Sequence, residues 1–395
     1  FKQKTAYEIR LSLVGSEMCI RDRLIVLLVA CGSSDDGLSV EDISSSSTTS
    51  SSTIPSVLDS NQSTTTTEAS IEYVFDVEKM SPFTGKELLP ETWLKRPRRV
   101  IAFKIDNNIN ARPQSGLQEA DAVHEILVEG GMTRFLAFFY DNTSKYLGPI
   151  RSARPTDPTV IRPYGGTLVV SGATAGLIPS IRELGVFVLE EQSSPVMFRI
   201  SSREAPHNLY ADTELVRERI DELGFYFLQP GPGPIYPFGF NQSNWKDGAD
   251  KITVKYSDST TVIWKLDGVK YSRFIIDKYA NNNEAVAHNF ISQDGNYTDI
   301  LQTETIVILQ GPLYNDPATT LPSVLTVGVG NAFVFHNDKY VEGTWRRGDI
   351  SDSFVLTDID GNNIQVPPST QWVHILPNEG IVTICLLYTS PSPRD

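Results

Sequence analysis

Residues 98–140, RRVIAFKIDNNINARPQSGLQEADAVHEILVEGGMTRFLAFFY, decide how this chain folds. The first nine of them, RRVIAFKID, predict a buried β-strand. Val123–Glu129 and Met132–Tyr140 predict two more strands, and the Gly130-Gly131 pair between them is a strong signal for a β-hairpin.

The hairpin also predicts where charged side chains lie. With a two-residue turn at the glycines, Leu127 pairs with Arg134. Because successive side chains of a strand alternate between its faces, Glu125 and Glu129 then share one face with Arg134. Two carboxylates and one arginine suit a cationic or hydrogen-bonding ligand, and they equally suit a structural ion-pair ladder.

Further along, strands and a helix alternate. Thr167–Ser171 and Val186–Leu189 predict short strands, and Ala175–Leu184 predicts a helix. This order indicates an α/β or α+β domain with a mixed sheet, which we place at residues 72–228.

A proline- and glycine-rich linker at residues 229–240 separates this domain from the rest, because it can continue neither a helix nor a strand. Residues 241–384 are dominated by strand patterns and predict a smaller β-rich domain. The predicted strands are Lys251–Tyr256, Thr261–Leu266, Tyr271–Ile276, Thr305–Gln310, Asn331–His336, Thr344–Arg346, Phe354–Asp358 and Trp372–Leu376.

Both ends of the chain resemble translated sequencing-adapter sequence. We therefore expect residues 1–23 and 385–395 to be artefacts and leave them out of the fold. Of the three cysteines only Cys31 then remains, so the body has no disulfide framework and its stability depends on core burial.

The next segment predicts a membrane anchor. Residues 24–31, LIVLLVAC, are an apolar run ending in a small residue and cysteine, which resembles a truncated lipoprotein signal with its lipobox at Leu28–Cys31. The run is too short to span a bilayer. By this resemblance Cys31 is lipidated, and the protein is extracytoplasmic and anchored to a bacterial membrane.

Residues 32–71 predict a disordered tether. Between Ser33 and Ser70, 21 of 38 residues are Ser or Thr, with six acidic side chains and neither lysine nor arginine. Such a segment buries too little apolar surface to offset the loss of chain entropy on folding.

Charge and motif content exclude several functions. The formal net charge is −14 at pH 7, so we expect no nucleic-acid partner, because phosphate backbones require basic surfaces. The five histidines have no i,i+3 or i,i+4 spacing and no second cysteine accompanies Cys31, so we predict neither a metal site nor a cofactor.

Two further motifs carry polar chemistry. In GPIRSARP, residues 148–155, Arg151 and Arg154 flank Ser152 and suit a fork for phosphate or carboxylate, although Glu125 and Glu129 compete for the same guanidinium groups. In REAPHNL, residues 203–209, His207 lies beside Asn208 in a loop that contains Pro206. Its imidazole suits either a catalytic base or acid or a hydrogen-bonded structural residue.

These motifs resemble the YerB-like family of bacterial lipoproteins, which has an N-terminal and a C-terminal domain of unknown function. The resemblance covers residues 80–380, and it supports the lipoprotein assignment and the domain split but implies no reaction. The family position usually filled by tyrosine before the first glutamate holds His124 here. The family's polar positions correspond to Asp106, Arg112, Asp121, Glu125, Glu129, Arg134, Arg151, Arg154, His207 and Asn208.

Three hypotheses for the function follow. The leading one is a cell-envelope lipoprotein that binds an anionic cell-wall or envelope ligand, or an envelope protein partner. The alternatives are an envelope hydrolase or transferase that uses His207 with Glu125 or Glu129, and a scaffold with internal ion pairs. The predicted ligand-binding residues are Asp106, Arg112, Arg134, Arg151, Ser152, Arg154 and Asn208.

Overall fold

The computed structural model describes residues 73–88, 99–225, 232–280, 283–292 and 295–385. The suspected artefact at residues 1–23, the lipobox with Cys31, and the tether lie outside the described residues, as does most of the suspected artefact at the C-terminal end. The predictions made for those segments stay predictions.

Strands are far more numerous than helices in the described ranges. The strands are β1 (Ile101–Ile105), β2 (Ala122–Leu127), β3 (Thr133–Phe139), β4 (Thr167–Val170), β5 (Phe187–Glu190), β6 (Met197–Arg199), β7 (Leu209–Ala211), β8 (Lys246–Asp247), β9 (Lys251–Lys255), β10 (Thr260–Asp267), β11 (Lys270–Asp277), β12 (Val286–Ala287), β13 (Asn289–Ile291), β14 (Thr298–Ile300), β15 (Gln302–Thr303), β16 (Thr305–Gly311), β17 (Leu313–Asn315), β18 (Pro322–Val324), β19 (Gly328–His336), β20 (Lys339–Arg347), β21 (Val355–Asp358), β22 (Gln371–Pro377) and β23 (Ile381–Cys385). The α-helices are α1 (Asp157–Ile161), α2 (Leu177–Glu183) and α3 (Thr213–Glu222), and 3₁₀ turns lie at Ile109–Ala111, Glu129–Gly131, Arg162–Tyr164 and Glu191–Ser193.

One 11-stranded sheet runs through both regions of the chain. Its order is β21-β20-β19-β16-β22-β2-β3-β1-β4-β5, and β8 pairs with β20. β22 lies parallel to both β16 and β2, so a strand from near the C-terminus joins the two regions through backbone hydrogen bonds. A mixed sheet with few helices in the N-terminal region, followed by a strand-rich C-terminal region, confirms the predicted fold class.

The core has one layer on each face of this sheet. On one face a six-stranded sheet, β12-β11-β10-β9-β23 with β15 beside β11, packs against it. There Trp372 of β22 makes edge-to-face contacts with Trp264 of β10, at 5.3 Å between ring centroids, and with Phe135 of β3, at 5.2 Å. On the other face, Val160 of α1 and Ile181 of α2 belong to the second buried cluster.

The β2–β3 hairpin forms as predicted, but the predicted register is wrong. Glu129–Gly131 form a three-residue 3₁₀ turn, and Leu127 pairs with Thr133 instead of Arg134. Both glycines have φ of 72°, a left-handed conformation that favours glycine and accommodates the extra residue. A shift of one residue reverses the face of a side chain, so Arg134 lies on the opposite face of the sheet from Glu125.

Because β22 holds both regions in one sheet, a cavity beside it should destabilise both together. Ile375 of β22 is 1% exposed, so Ile375→Ala should lower the free energy of unfolding by about 2–5 kcal/mol. Hydrogen exchange in increasing urea should show that β1 and β19 of Ile375→Ala open together, at a lower urea concentration than in wild type. Ile359→Ala, at a side chain that is 81% exposed, is the control and should change the free energy by less than about 0.5 kcal/mol. Opening of β19 while β1 stays protected would contradict this coupling.

Candidate functional site

A polar cluster lies where β1 and β4 end. These strands are parallel, Asp106 follows the first, and Ser171 follows the second. Between them runs the segment that contains Arg151, whose backbone N–H donates to the carbonyl of Lys104 at 2.8 Å and whose carbonyl accepts from Ser171 N–H at 3.1 Å. The carboxyl ends of parallel strands are a frequent place for ligand sites in α/β sheets.

The Asp106 carboxylate is the centre of the cluster. Its side chain is only 3% exposed, and its Oδ2 lies 2.7 Å from His207 Nδ1 and 3.1 Å from Arg151 Nε. Arg134 Nε lies 3.9 Å from Oδ1. Nε2 of His207 has no hydrogen-bond partner among the described residues, and the His207 and Arg151 side chains are 15% and 21% exposed. Asp106 therefore orients an imidazole and a guanidinium that both reach solvent.

Glu129 is held by Arg154 beside this centre. Arg154 Nε donates to Glu129 Oε2 at 2.6 Å, and a terminal nitrogen of Arg154 donates to Oε1. Partial burial alone would raise the pKa of Glu129, but the hydrogen bonds and charges of Arg154 and Arg134 hold this pKa at about 2. Burial, with the nearby charge of Arg154, lowers the pKa of Arg134 to about 10, so Arg134 stays charged at neutral pH.

A buried ion pair of Lys104 and Asp157 contacts the cluster through the backbone of Arg154. Lys104 Nζ lies 2.6 Å from Asp157 Oδ1, both side chains are fully buried, and Asp157 Oδ2 accepts from the backbone N–H of Arg154 at 2.7 Å. Burial lowers the pKa of Lys104 to about 8, and Asp157 offsets part of that shift. Sequence reasoning missed this pair, although a lysine inside the apolar run IAFKI is a signal for a buried partner.

The cluster carries an excess of positive charge. Four cationic side chains face three carboxylates, which leaves one formal positive charge when His207 is neutral, in a chain whose net charge is −14. The cations are Lys104, Arg134, Arg151 and Arg154, and the carboxylates are Asp106, Glu129 and Asp157.

Glu125 belongs to a separate, fully buried network on the opposite face of the sheet. Arg273 of β11 donates to both of its carboxylate oxygens, at 2.8 and 2.9 Å. Thr133 Oγ1 and Trp372 Nε1 donate to the same carboxylate at 2.8 and 3.0 Å. Burial alone would raise the pKa of Glu125, but the charges of Arg273 and His374 and the hydrogen bonds from Thr133 and Arg273 lower it below its ordinary value. Every oxygen of Glu125 is thus satisfied inside the protein.

This internal network continues to the polar cluster. Arg273 also donates to His288 Nδ1, and His288 Nε2 lies 2.8 Å from Gln114 Oε1. Gln114 Nε2 in turn donates to the backbone carbonyl of Asp106 at 2.9 Å. Arg112 contacts Asn107 and lies 2.9 Å from Asp277 Oδ2, and its role in ligand binding stays a prediction.

The remaining family positions have internal partners. Asn208 accepts a hydrogen bond from Arg199 at 2.6 Å and donates to the carbonyl of Ile200 at 3.2 Å. Asp121 accepts three backbone N–H groups after β3, and burial raises its pKa to about 6. His124 packs against Phe138 in the core, where burial lowers its pKa to about 3. These contacts join the three side chains to neighbouring segments, and the ligand-binding role of Asn208 stays a prediction.

The structure thus divides the predicted site. It brings Asp106, Arg134, Arg151, Arg154, Glu129 and His207 together, with the Ser152 backbone carbonyl accepting from Arg134 at 3.1 Å. The predicted face shared by Glu125, Glu129 and Arg134 does not form, because the hairpin register differs by one residue. The described carboxylate partner of His207 is Asp106, not either glutamate.

No helix in the described part of the chain is long and apolar enough to cross a lipid bilayer. Within the same ranges, no group of three or more His, Cys, Asp or Glu side chains is arranged to hold a metal ion.

Two family models match the chain. The model described as "Protein of unknown function (DUF3048) N-terminal domain" matches residues 83–226, and the corresponding C-terminal domain model matches residues 252–373. Together they span about two thirds of the chain, which therefore belongs to this family.

A similar protein and a similar solved structure both come from Bacillus subtilis. The chain is 24% identical over 305 residues to "Putative lipoprotein YerB" of Bacillus subtilis (strain 168), covering 75% of this chain and 88% of that protein. The crystal structure of YerB protein from Bacillus subtilis has a similar fold, with a TM-score of 0.63 and 21% identity, over 77% of this chain and 99% of that one. These findings confirm the resemblance inferred from the motifs.

The Glu125–Arg273 pair gives a stability prediction. Arg273→Met removes the partner of a carboxylate with no access to water, so it should lower the free energy of unfolding by about 3–5 kcal/mol. The matched control, Arg182→Met, breaks a pair whose arginine is 53% exposed and should cost less than about 1 kcal/mol. Urea unfolding measures both free energies. Equally small decreases in the free energy of unfolding of the two variants would argue against this network as a structural support.

The Glu129–Arg154 pair gives a pH prediction. The folded-state pKa of Glu129, about 2, lies below its ordinary value of 4.5, so the pair stabilises the protein above pH 4.5 and this contribution is lost as the pH falls toward 2. Because the Glu129 side chain is 38% exposed, solvent screening limits the contribution to about 1 kcal/mol. Urea unfolding should therefore give wild type a higher free energy of unfolding than Glu129→Gln at pH 7, and the difference between the two should shrink toward pH 3. A difference independent of pH would contradict the assignment.

Proposed function

We propose that this protein is a cell-envelope lipoprotein that binds an anionic envelope ligand, through a phosphate or carboxylate group, at Arg151, Arg134 and His207. The observation that carries the proposal is the excess positive charge of the polar cluster within an acidic chain. An anion that approaches this acidic protein therefore meets a local excess of positive charge at the cluster.

Arg151 is the side chain best suited to contact the ligand. Its Nε lies 3.1 Å from Asp106 Oδ2 as an ion pair without hydrogen-bond geometry, and its guanidinium donates no side-chain hydrogen bond to any described residue. A guanidinium offers paired N–H groups that match two oxygens of a phosphate or carboxylate. The ion pair with Asp106 holds this guanidinium close to the carboxylate, so less side-chain entropy is lost on binding.

Anchoring completes the proposed function. Residues 24–31 resemble the end of a lipoprotein signal, and a diacylglycerol on Cys31 would attach the chain to the outer face of a bacterial membrane. A tether of residues 32–71 would let the body sample roughly 35 Å around that point, which suits a ligand in the cell envelope. The lipoprotein name of the Bacillus subtilis relative supports this part of the proposal.

A second candidate function rests on one contact. The 2.7 Å contact between Asp106 Oδ2 and His207 Nδ1 is the arrangement in which a carboxylate orients an imidazole and leaves Nε2 to take or give a proton. An envelope hydrolase or transferase would use His207 as base, with Asp106 as its orienting partner. Arg151 and Arg134 would then meet negative charge that develops on the substrate.

Calorimetric titration of the full chain with muropeptides and glycerol-phosphate wall-polymer fragments tests the proposal. Arg151→Ala should weaken binding about 10- to 100-fold, as expected when a charge-assisted hydrogen bond is lost. Arg182→Ala removes the same charge from an exposed arginine of α2 and should leave the affinity unchanged. Arg151→Ala is a cleaner test than Arg154→Ala, because Arg154 also holds Glu129.

The same samples separate the two candidate functions. Products that form with wild type and disappear in His207→Gln, while binding persists, would favour the hydrolase or transferase. Binding without products would favour the receptor. Absence of binding to every probe would contradict the anionic ligand and leave an envelope protein as the partner class.

A further inference from the structure

A second cavity, lined by none of the polar-cluster residues, has an unusual composition. Its volume is about 280 Å³, close to the lower end of the roughly 300–1,000 Å³ range of small-molecule sites. It lies between the segment before β8 and the turn after β21. Its polar wall includes Asn241, Ser243, Asn244, Trp245, Asn362 and Asn363.

Asp358 of β21 joins the two sides of this cavity. Its carboxylate accepts from Asn244 Nδ2 at 2.7 Å, from the backbone N–H of Asn362 at 2.8 Å, and from that of Asp360 at 3.0 Å. The Asn362 amide adds a further contact to Oδ2 at 3.1 Å. The walls are therefore held in place before any ligand arrives, which lowers the entropy lost on binding.

The donors and acceptors that remain are uncharged. Asp358 is the one titratable side chain in the cavity wall, and its oxygens are occupied by the donors described above. The Asn363 side chain makes no hydrogen bond to the described residues and is exposed, while its backbone bridges to Thr357. Carboxamides offer both donors and acceptors, as do the hydroxyl groups of a sugar.

Trp245 supplies an aromatic surface in the same cavity. It is half-buried and packs against the core, yet its indole N–H donates to no described residue. The indole N–H groups of Trp264, Trp345 and Trp372 all donate to internal acceptors. Trp245 thus combines an apolar ring with an unused donor at the edge of a polar cavity, an arrangement typical of contacts with amphipathic ligands.

We propose that this cavity is a binding site for a neutral saccharide, whose hydroxyl groups bond the asparagine amides while its C–H face contacts Trp245. An anion would lie beside the Asp358 carboxylate, and a cation would have to displace the donors that already occupy it. A neutral polyhydroxyl ring neither suffers charge repulsion from this carboxylate nor has to displace its donors. The site does not depend on the proposed anion site.

The indole N–H signals of the full ¹⁵N-labelled chain test this proposal, with Trp245→Phe identifying the Trp245 signal. Titration with maltotriose and with the trisaccharide of N-acetylglucosamine should move the Trp245 signal, with half-saturation at about 1 mM for at least one of them. The signals of Trp264, Trp345 and Trp372 should stay in place because their N–H groups are already bonded.

Matched variants locate the contact. Asn363→Ala should weaken binding about 3- to 10-fold, the effect of one neutral hydrogen bond. Asn289→Ala, an exposed asparagine of β13 outside the cavity, and Arg151→Ala in the polar cluster should leave the titration unchanged. A Trp245 signal that does not move with either sugar up to about 20 mM would overturn the proposal. An equal shift with glycerol at matched hydroxyl concentration, or full affinity in Asn363→Ala, would also overturn it.

Discussion

The buried pair of Glu125 and Arg273 is the interaction on which the rest of the structure depends. It joins β2 of the large sheet to β11 of the smaller one, and both side chains are fully buried. A carboxylate without water is tolerated only when its oxygens have donors, which requires Thr133 and Trp372 to be in place as well as Arg273, whose own Nε has no hydrogen-bond partner among the described residues. The pair therefore demands that strands from both regions of the chain assemble correctly.

This internal network also reaches the surface cluster. From Arg273 the hydrogen bonds continue through His288 and Gln114 to the backbone of Asp106. The Asp106 carboxylate, which contacts His207 and Arg151, thus belongs to a segment that is hydrogen-bonded to the core network. Support of this kind favours a site whose geometry is set before a ligand binds.

The scaffold hypothesis and the ligand hypothesis therefore describe different parts of the same motifs. Glu125 and Arg112 are committed to internal ion pairs, whereas Arg151 and His207 reach solvent with unused nitrogens. The turn at Gly130-Gly131 separates Glu125 from the polar cluster, since a one-residue change of register sends Arg134 and Glu125 to opposite faces.

Local patterns in the sequence determined the strands, the hairpin and the fold class, because alternation of apolar residues and glycine turns are short-range signals. They also identified the arginine- and histidine-bearing motifs at residues 148–155 and 203–209. The partner of His207 could not be predicted, since Asp106 is 101 residues away along the chain. The same holds for Arg273, which meets Glu125 across 148 residues. Only tertiary structure decided which charges pair and which reach solvent, because pairing depends on the register of β2 with β3 and on the packing of one sheet on the other.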